Sequence, residues 1–266
     1  MKNNSKKLAA VTGASDGLGK EFAEQLAGEG YNLLLIARRE NLLNELKNKL
    51  ESQFGITAET VVCDLLEADP LRQLEKRLEN ETELEVFVNN AGFGFSDTFP
   101  NTDPDKEQSM IQLHCVAVMR LARAALVPMC KQKKGYLINT ASVAAWLQGP
   151  GAVEYSATKA YILAFSKGLQ CDVRQYGVRV QALCPGMTHT GFHSTEEMKT
   201  FNKKGIPGFL WLTAQYVVQT SLRSVKHSRK VVCIPSWRYK IILALLCNPV
   251  GAMITEILYR KKRLNK

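Results

Sequence analysis

Paired cysteines are missing from this chain. The seven present, Cys63, Cys115, Cys130, Cys171, Cys184, Cys233 and Cys247, are odd in number, and no two stand in C-x-x-C spacing. That excludes a disulfide framework and a cysteine zinc site as simple readings, predicts no metal, and points to a reducing, cytoplasmic setting. The opening M-K-N-N-S-K-K lacks the apolar stretch and cleavage site of a signal peptide. Internal repeats, low-complexity stretches and linkers are also missing, so the pattern predicts one domain over residues 1–266. Long apolar runs are scarce as well. The best pair, I-I-L-A-L-L-C at 241–247 and A-M-I-T-E-I-L at 252–258, is interrupted by Asn248, Pro249 and Glu256 and makes a poor transmembrane span.

Positive charge is plentiful but local. The formal net charge is +10, and residues 237–266 hold seven cations against Glu256, leaving a net of +4 for the other 236 residues. A basic end does not make a nucleic-acid surface, so no nucleic-acid partner is expected. Residues 237–266 read instead as an apolar and basic extension with two competing fates. One is an amphipathic helix pair in weak contact with an anionic membrane surface. The other, commoner for short apolar helices, is a cap over the chain's own hydrophobic groove or a partner subunit.

What is present is a period that switches repeatedly between strand and helix. Strands are expected at 7–12, 31–37, 57–63, 85–89, 135–140, 178–184 and 230–234. Helices are expected at 18–29, 40–53, from Asp69-Pro70 with Asp69 as cap, at 103–131, 153–175 and 213–227. Seven strands alternating with six helices describe a doubly wound, Rossmann-type parallel sheet with helices on both faces. Ligands of such sheets bind beyond the carboxyl ends of the strands.

Those ends carry the informative residues. The first strand runs into T-G-A-S-D-G-L-G, with Gly13, Ser15, Asp16, Gly17, Leu18 and Gly19 leading into a helix. Three glycines there allow a tight turn, close approach of a pyrophosphate and helix–strand packing, and the helix N-terminus offers free N–H groups. The second strand ends in Arg38-Arg39, with no acid before Glu40. An acid would favour NAD, whereas an arginine accommodates the 2′-phosphate of NADP(H), with Arg38 the favoured contact. Tyr155 and Lys159 stand one helical turn apart, and Ser142 follows the fifth strand. A nearby ammonium is expected to draw the tyrosine pKa down from about 10. Ser142 is then placed to bond a substrate oxygen as charge builds on it.

Taken together, these motifs resemble the short-chain dehydrogenase/reductase family. The resemblance runs over residues 7–235 and rests on T-G-A-S-D-G-L-G, the Asp64 ending V-V-C-D, N-N-A-G at 89–92, Ser142, Y-S-A-T-K and P-G-M-T-H-T at 185–190. It implies that Asp64 contacts the adenine, and that Asn89, Asn90, Ala91 and Gly92 border the adenosine ribose and support the central strand. Tyr155 becomes the proton donor or acceptor, and Lys159 also holds the nicotinamide ribose. Pro185, Gly186, Thr188 and Thr190 line the nicotinamide carboxamide. The family also implies a homo-oligomer, assembled through its two long helices.

One position departs from the family pattern. Its register puts His114 where the family carries Asn, on the long helix and on the apolar stripe of Met110, Leu113, Ala117 and Leu121. Three readings compete: a proton relay beside Lys159, an ordinary core histidine, and the mark of a protein that binds cofactor without turnover. Segment 187–212 is expected to cover the substrate with Phe192, Met198, Phe201, Ile206, Phe209, Leu210 and Trp211, hinged at Gly191, Gly205 and Gly208. Phe93, Phe95, Trp146 and Leu147 flank it, and Glu196, Glu197, Lys199, Lys203 and Lys204 form its outer face. An apolar pocket of this kind favours a bulky apolar ketone or secondary alcohol. The tail from S-W-R-Y-K resembles the branch of hydroxysteroid dehydrogenases and long-chain 3-oxoacyl-CoA reductases. A hydroxysteroid is the first expectation and a 3-oxoacyl thioester the second. A silent NADP(H)-binding regulatory or membrane-docking protein is the alternative from another class.

Overall fold

The computed structural model describes residues 7–95, 97–147, 151–194, 198, 201 and 203–247. Glu196, Glu197, Lys199, the side chain of Lys204 and the stretch 248–266 lie outside the described residues, so the membrane-surface expectation falls largely outside them too.

Apolar runs become the central strands. In chain order these are β1 (Leu8–Thr12), β2 (Asn32–Ala37), β3 (Ala58–Val62), β4 (Leu84–Asn89), β5 (Gly135–Thr140) and β6 (Val178–Leu183). The short β7 (Thr188–His189) and β8 (Leu212–Thr213) pair with each other, and β9 (Val232–Cys233) closes the main sheet. The main sheet has seven parallel strands, as expected, and the structure orders them β3-β2-β1-β4-β5-β6-β9.

β2 shows why such runs form strands buried on both faces. Leu33 and Leu35 join one core and Leu34 and Ile36 the other, because successive side chains point to opposite faces. Helices α1 (Gly17–Gly28) and α2 (Glu40–Phe54) cover the first face, with Phe22, Leu26, Leu43 and Leu50 fully buried. On the second face lie α3 (Ala68–Glu79), α5 (Val118–Gln132) and the C-terminal part of α6 (Val153–Val173). The short α4 (Pro104–Ile111) leads towards α5. α7 (Ala214–His227) returns to the first face, and α8 (Trp237–Leu246) packs Tyr239 and Leu243 into the same core. Each large side chain buried this way contributes roughly 1.5–3 kcal/mol.

One local expectation needs correction. α3 begins at Ala68, with Glu67 at its cap and no side-chain cap bond, so Asp69 lies in the first turn rather than capping it. Asp69 still favours the helix there by facing its positive end. The long helix runs unbroken over Pro104–Gln132, close to the expected 103–131, with a π-helical stretch at Gln112–Ala117 joining α4 to α5. That widened turn holds His114, fully buried.

Candidate active site

Between β1 and β4 the strand order changes direction, and a cleft of about 950 Å³ opens there at the carboxyl ends of the strands. Gly13, Ser15, Asp16, Gly17 and Leu18 form part of its wall, with Arg38, Arg39, Asp64, Asn90, Ala91 and Gly92. Ser142, Tyr155, Lys159, Pro185, Gly186, Thr188 and Thr190 line the same cleft. Three expected residues do not face it, and Asn89, buried at the end of β4, is one of them. Gly19 stands behind the turn, where a Cβ would lie 2.1 Å from the Gly13 carbonyl oxygen, so its part is close packing of helix on strand. His114 is enclosed beneath the wall.

The glycine turn is built for an anion. Gly13 and Gly17 adopt φ of 67° and 55°, which glycine alone takes without strain. The first i→i−4 bond of the helix runs from the Lys20 N–H to the Asp16 carbonyl at 3.2 Å. The amides of Leu18 and Gly19 therefore have no acceptor within the helix. Asp16 accepts the Gly17 N–H at 2.6 Å, and a Cβ on Gly191 would collide with its carboxylate, so the backbone at 191 crosses close over the turn. Arg39 donates to Ser15 Oγ at 3.2 and 2.9 Å, while Arg38 lies 3.6 Å from Asp64.

A buried polar lattice fixes the next strand ends. Thr12 Oγ1 accepts the N–H groups of Asn90 and Ala91 at 2.9 and 3.1 Å, and donates to the Val88 carbonyl. Asn89 donates to Asn139 Oδ1 at 2.9 Å and to the Val118 carbonyl at 3.2 Å; Asn139 donates to Ser166 Oγ at 3.0 Å. β4, β5, α5 and α6 are thereby tied together just below the site. Thr12, Asn139 and Ser166 escape a reading of the sequence, because each is an ordinary polar residue until the sheet brings its partners together.

Tyr155, Lys159 and Ser142 converge on the cleft floor. Ser142 Oγ accepts the Ala144 N–H at 3.1 Å, which starts the turn Val143–Ala145 and leaves the hydroxyl hydrogen to Tyr155. Lys159 Nζ donates to the Thr140 carbonyl at 2.9 Å and stands 5.5 Å from the centre of the Tyr155 ring. Burial pushes the Lys159 ammonium down to about 8, partly offset by the Cys115 and Cys184 thiols. Burial pushes the Tyr155 phenol up to about 12, opposed by a hydrogen bond with Ser142. The phenol is thus raised rather than lowered: desolvation sets the direction, and the group that opposes it is Ser142.

The Tyr155 ring is wedged between His114 and Phe192, with ring centres 6.0 and 5.9 Å away. Phe93, Phe95, Leu147, Phe192, Met198 and Phe201 line the substrate side. Trp146, Ile206, Phe209, Leu210 and Trp211 do not. Trp211 stacks on His189 at 4.9 Å, Trp146 and Leu210 pack against the core, and Phe209 is exposed. The helical and loop frame turned these five away from the opening, which their hydrophobicity alone did not reveal.

A sequence profile described as short chain dehydrogenase matches residues 7–200. The chain belongs to the short chain dehydrogenase family. Very-long-chain 3-oxoacyl-CoA reductase-A of Danio rerio is 34% identical to it over 183 residues, 67% of this chain and 57% of the relative. Very-long-chain 3-oxoacyl-CoA reductase of Neurospora crassa is 33% identical over 266 residues, 97% of this chain and 76% of the relative. The chain spans just over half the length of the first relatives it matches. Among solved structures, a short-chain dehydrogenase from Sphingobium yanoikuyae in complex with NADPH has a TM-score of 0.81 at 26% identity, covering 98% of this chain and 96% of that one. Members of this family are oxidoreductases that bind a nicotinamide cofactor. The cleft suits that group: a glycine cradle with free amides meets a pyrophosphate, and arginines stand at the edge of the adenosine end.

Proposed function

We propose that this dehydrogenase is an NADP(H)-dependent reductase of the 3-oxo group of long-chain acyl thioesters. The observation that carries the chemistry is the meeting of Tyr155, Lys159 and Ser142 on the floor of a cleft whose outer part is aromatic and aliphatic. NADPH, when bound, supplies hydride to the carbonyl carbon. The protein's own groups handle the oxygen. Ser142 donates a hydrogen bond to it, and Tyr155 passes its phenolic proton to it as negative charge builds. A phenol held near 12 carries that proton throughout the neutral range, which suits reduction. Lys159 stabilises the phenolate left behind. Arg38 and Arg39 recognise the 2′-phosphate.

The acyl thioester is preferred over a hydroxysteroid because relatives above 30% identity carry that activity in their names. Lys106 at the cleft wall adds a cation for a phosphorylated carrier. The aromatic wall of Phe93, Phe95 and Phe192 keeps a flat, bulky ketone such as a steroid as the second reading. Consumption of NADPH with 3-oxoacyl-CoA of increasing chain length, set against a panel of ketosteroids, tests the order. Turnover rising with acyl length is expected. Faster turnover of ketosteroids reverses the order, and turnover of neither class restores the silent, cofactor-binding reading.

A further inference from the structure

We propose that Tyr239, on the C-terminal helix α8, is a positioning residue for the wall expected at the nicotinamide end of the cleft. The proposal rests on the nicotinamide reading of that cleft. Tyr239 is 4% exposed, although it stands between Arg238 and Lys240 on its helix. The hydroxyl is fully used. It accepts the Met187 N–H at 2.9 Å and donates to the Leu210 carbonyl at 3.0 Å. Its ring stands where a side chain at 186 would go, since a Cβ on Gly186 would lie 2.0 Å from ring atom Cε2. Gly186 is therefore a glycine on account of Tyr239, whose ring occupies the space a side chain there would need.

The other contacts of this segment lead straight to the chemistry. The Pro185 carbonyl accepts the Val143 N–H at 3.0 Å, one residue beyond Ser142, and the Met187 carbonyl accepts the Leu212 N–H at 2.9 Å. Arg238, next to Tyr239, donates to the Phe209 carbonyl at 2.6 Å. α8 thus straps the backbone at Phe209 and Leu210 to the cleft wall at Met187, and one phenolic oxygen joins the two. Removing that oxygen leaves the Met187 N–H and the Leu210 carbonyl without their partner while the ring still fills its place.

Tyr239→Phe tests this through binding alone. Two ligands are compared on the unmodified protein and the variant: NADPH, and 2′,5′-ADP, which has the adenosine half and no nicotinamide. The variant is expected to bind NADPH about three- to tenfold more weakly, the size of a lost hydrogen bond, with 2′,5′-ADP changed by less than about twofold. Its thermal midpoint should fall by no more than a few degrees. Unchanged NADPH binding overturns the proposal. So does equal weakening of both ligands, which is what a general loss of packing produces. If the unmodified protein binds neither ligand, the nicotinamide reading fails and the proposal fails with it.

Discussion

His114 Nδ1 lies 3.0 Å from Thr158 Oγ1, and that hydroxyl donates to the Tyr155 carbonyl at 2.9 Å. On its other side, His114 Nε2 accepts the Phe93 N–H at 3.2 Å. A hydroxyl already donating elsewhere receives the Nδ1 proton, so the network assigns a neutral ring with both nitrogens occupied. A side chain on Gly92 would collide with that ring, its Cβ falling 2.7 Å from Nε2. The histidine thereby links the loop after β4 to the helix that carries Tyr155 and Lys159.

The first prediction concerns acid. Burial, and then the charge of Lys159, hold the His114 pKa well below its usual 6.5. An unfolded chain takes up this proton below about pH 6.5 while the folded one does not, so stability falls as pH drops, by up to about 1.4 kcal/mol per pH unit from this residue. Turnover between pH 5 and 8 should show no limb belonging to His114. Denaturant unfolding at pH 7 and pH 5 should show a smaller acid loss in His114→Asn than in the unmodified protein. An acid limb in turnover near pH 6 that vanishes in His114→Asn would restore the relay. His114→Leu should cost about 1–3 kcal/mol, because the buried Phe93 N–H loses its acceptor.

A second prediction separates proton transfer from binding. Tyr155→Phe keeps the ring between His114 and Phe192 and removes the phenolic proton, so nearly all turnover should go while NADPH affinity stays close to the original. Lys159→Ala should damage both. Because burial brings Lys159 down to about 8, NADPH affinity in the unmodified protein should weaken as pH climbs past that value. Substantial turnover in Tyr155→Phe would move the proton donor elsewhere.

The third addresses the 2′-phosphate. Arg38, exposed on the cleft wall and held loosely by Asp64, is free to turn to a ligand; Arg39 is tied to Ser15. NADPH should bind at least about tenfold tighter than NADH, a charge-assisted contact being worth about 1.5–3 kcal/mol. Arg38→Asp should reverse the preference. Equal affinities in the unmodified protein would sink the assignment, and a larger effect from Arg39→Ala would transfer it to Arg39.

The fourth lies at the far end of the sheet. Glu85 is buried, and burial alone would raise its pKa, yet Lys134 at 2.7 Å and Tyr31 at 3.0 Å, with Lys7, bring it below the usual value. Its stabilising contribution is present above the unfolded pKa of about 4.3 and is lost as pH falls through the lower folded value. Glu85→Gln should cost about 1.5–3 kcal/mol at pH 7, chiefly through Tyr31, because the two lysines are half-exposed and screened. The gap between the two proteins should close below pH 4; a constant gap in denaturant midpoints would count against the assignment.

Much of this molecule is written in local pattern. The apolar run at 31–37, the glycines at 13, 17 and 19, and Tyr155 with Lys159 on one helix face each encode their neighbourhood within a few residues. Strand, turn and helix periods are short-range, so the parallel sheet and the position of its cleft follow from them. The pairings that finish the site have no such signal. His114 meets a backbone amide 21 residues away and a hydroxyl 44 residues away, and Tyr239 meets an amide 52 residues away. Each looks like any polar residue on an apolar helix until folding removes water from around it. Tertiary structure alone decided which partner each buried polar atom took, and with it that desolvation, opposed by the Ser142 hydrogen bond, holds the resting proton on Tyr155.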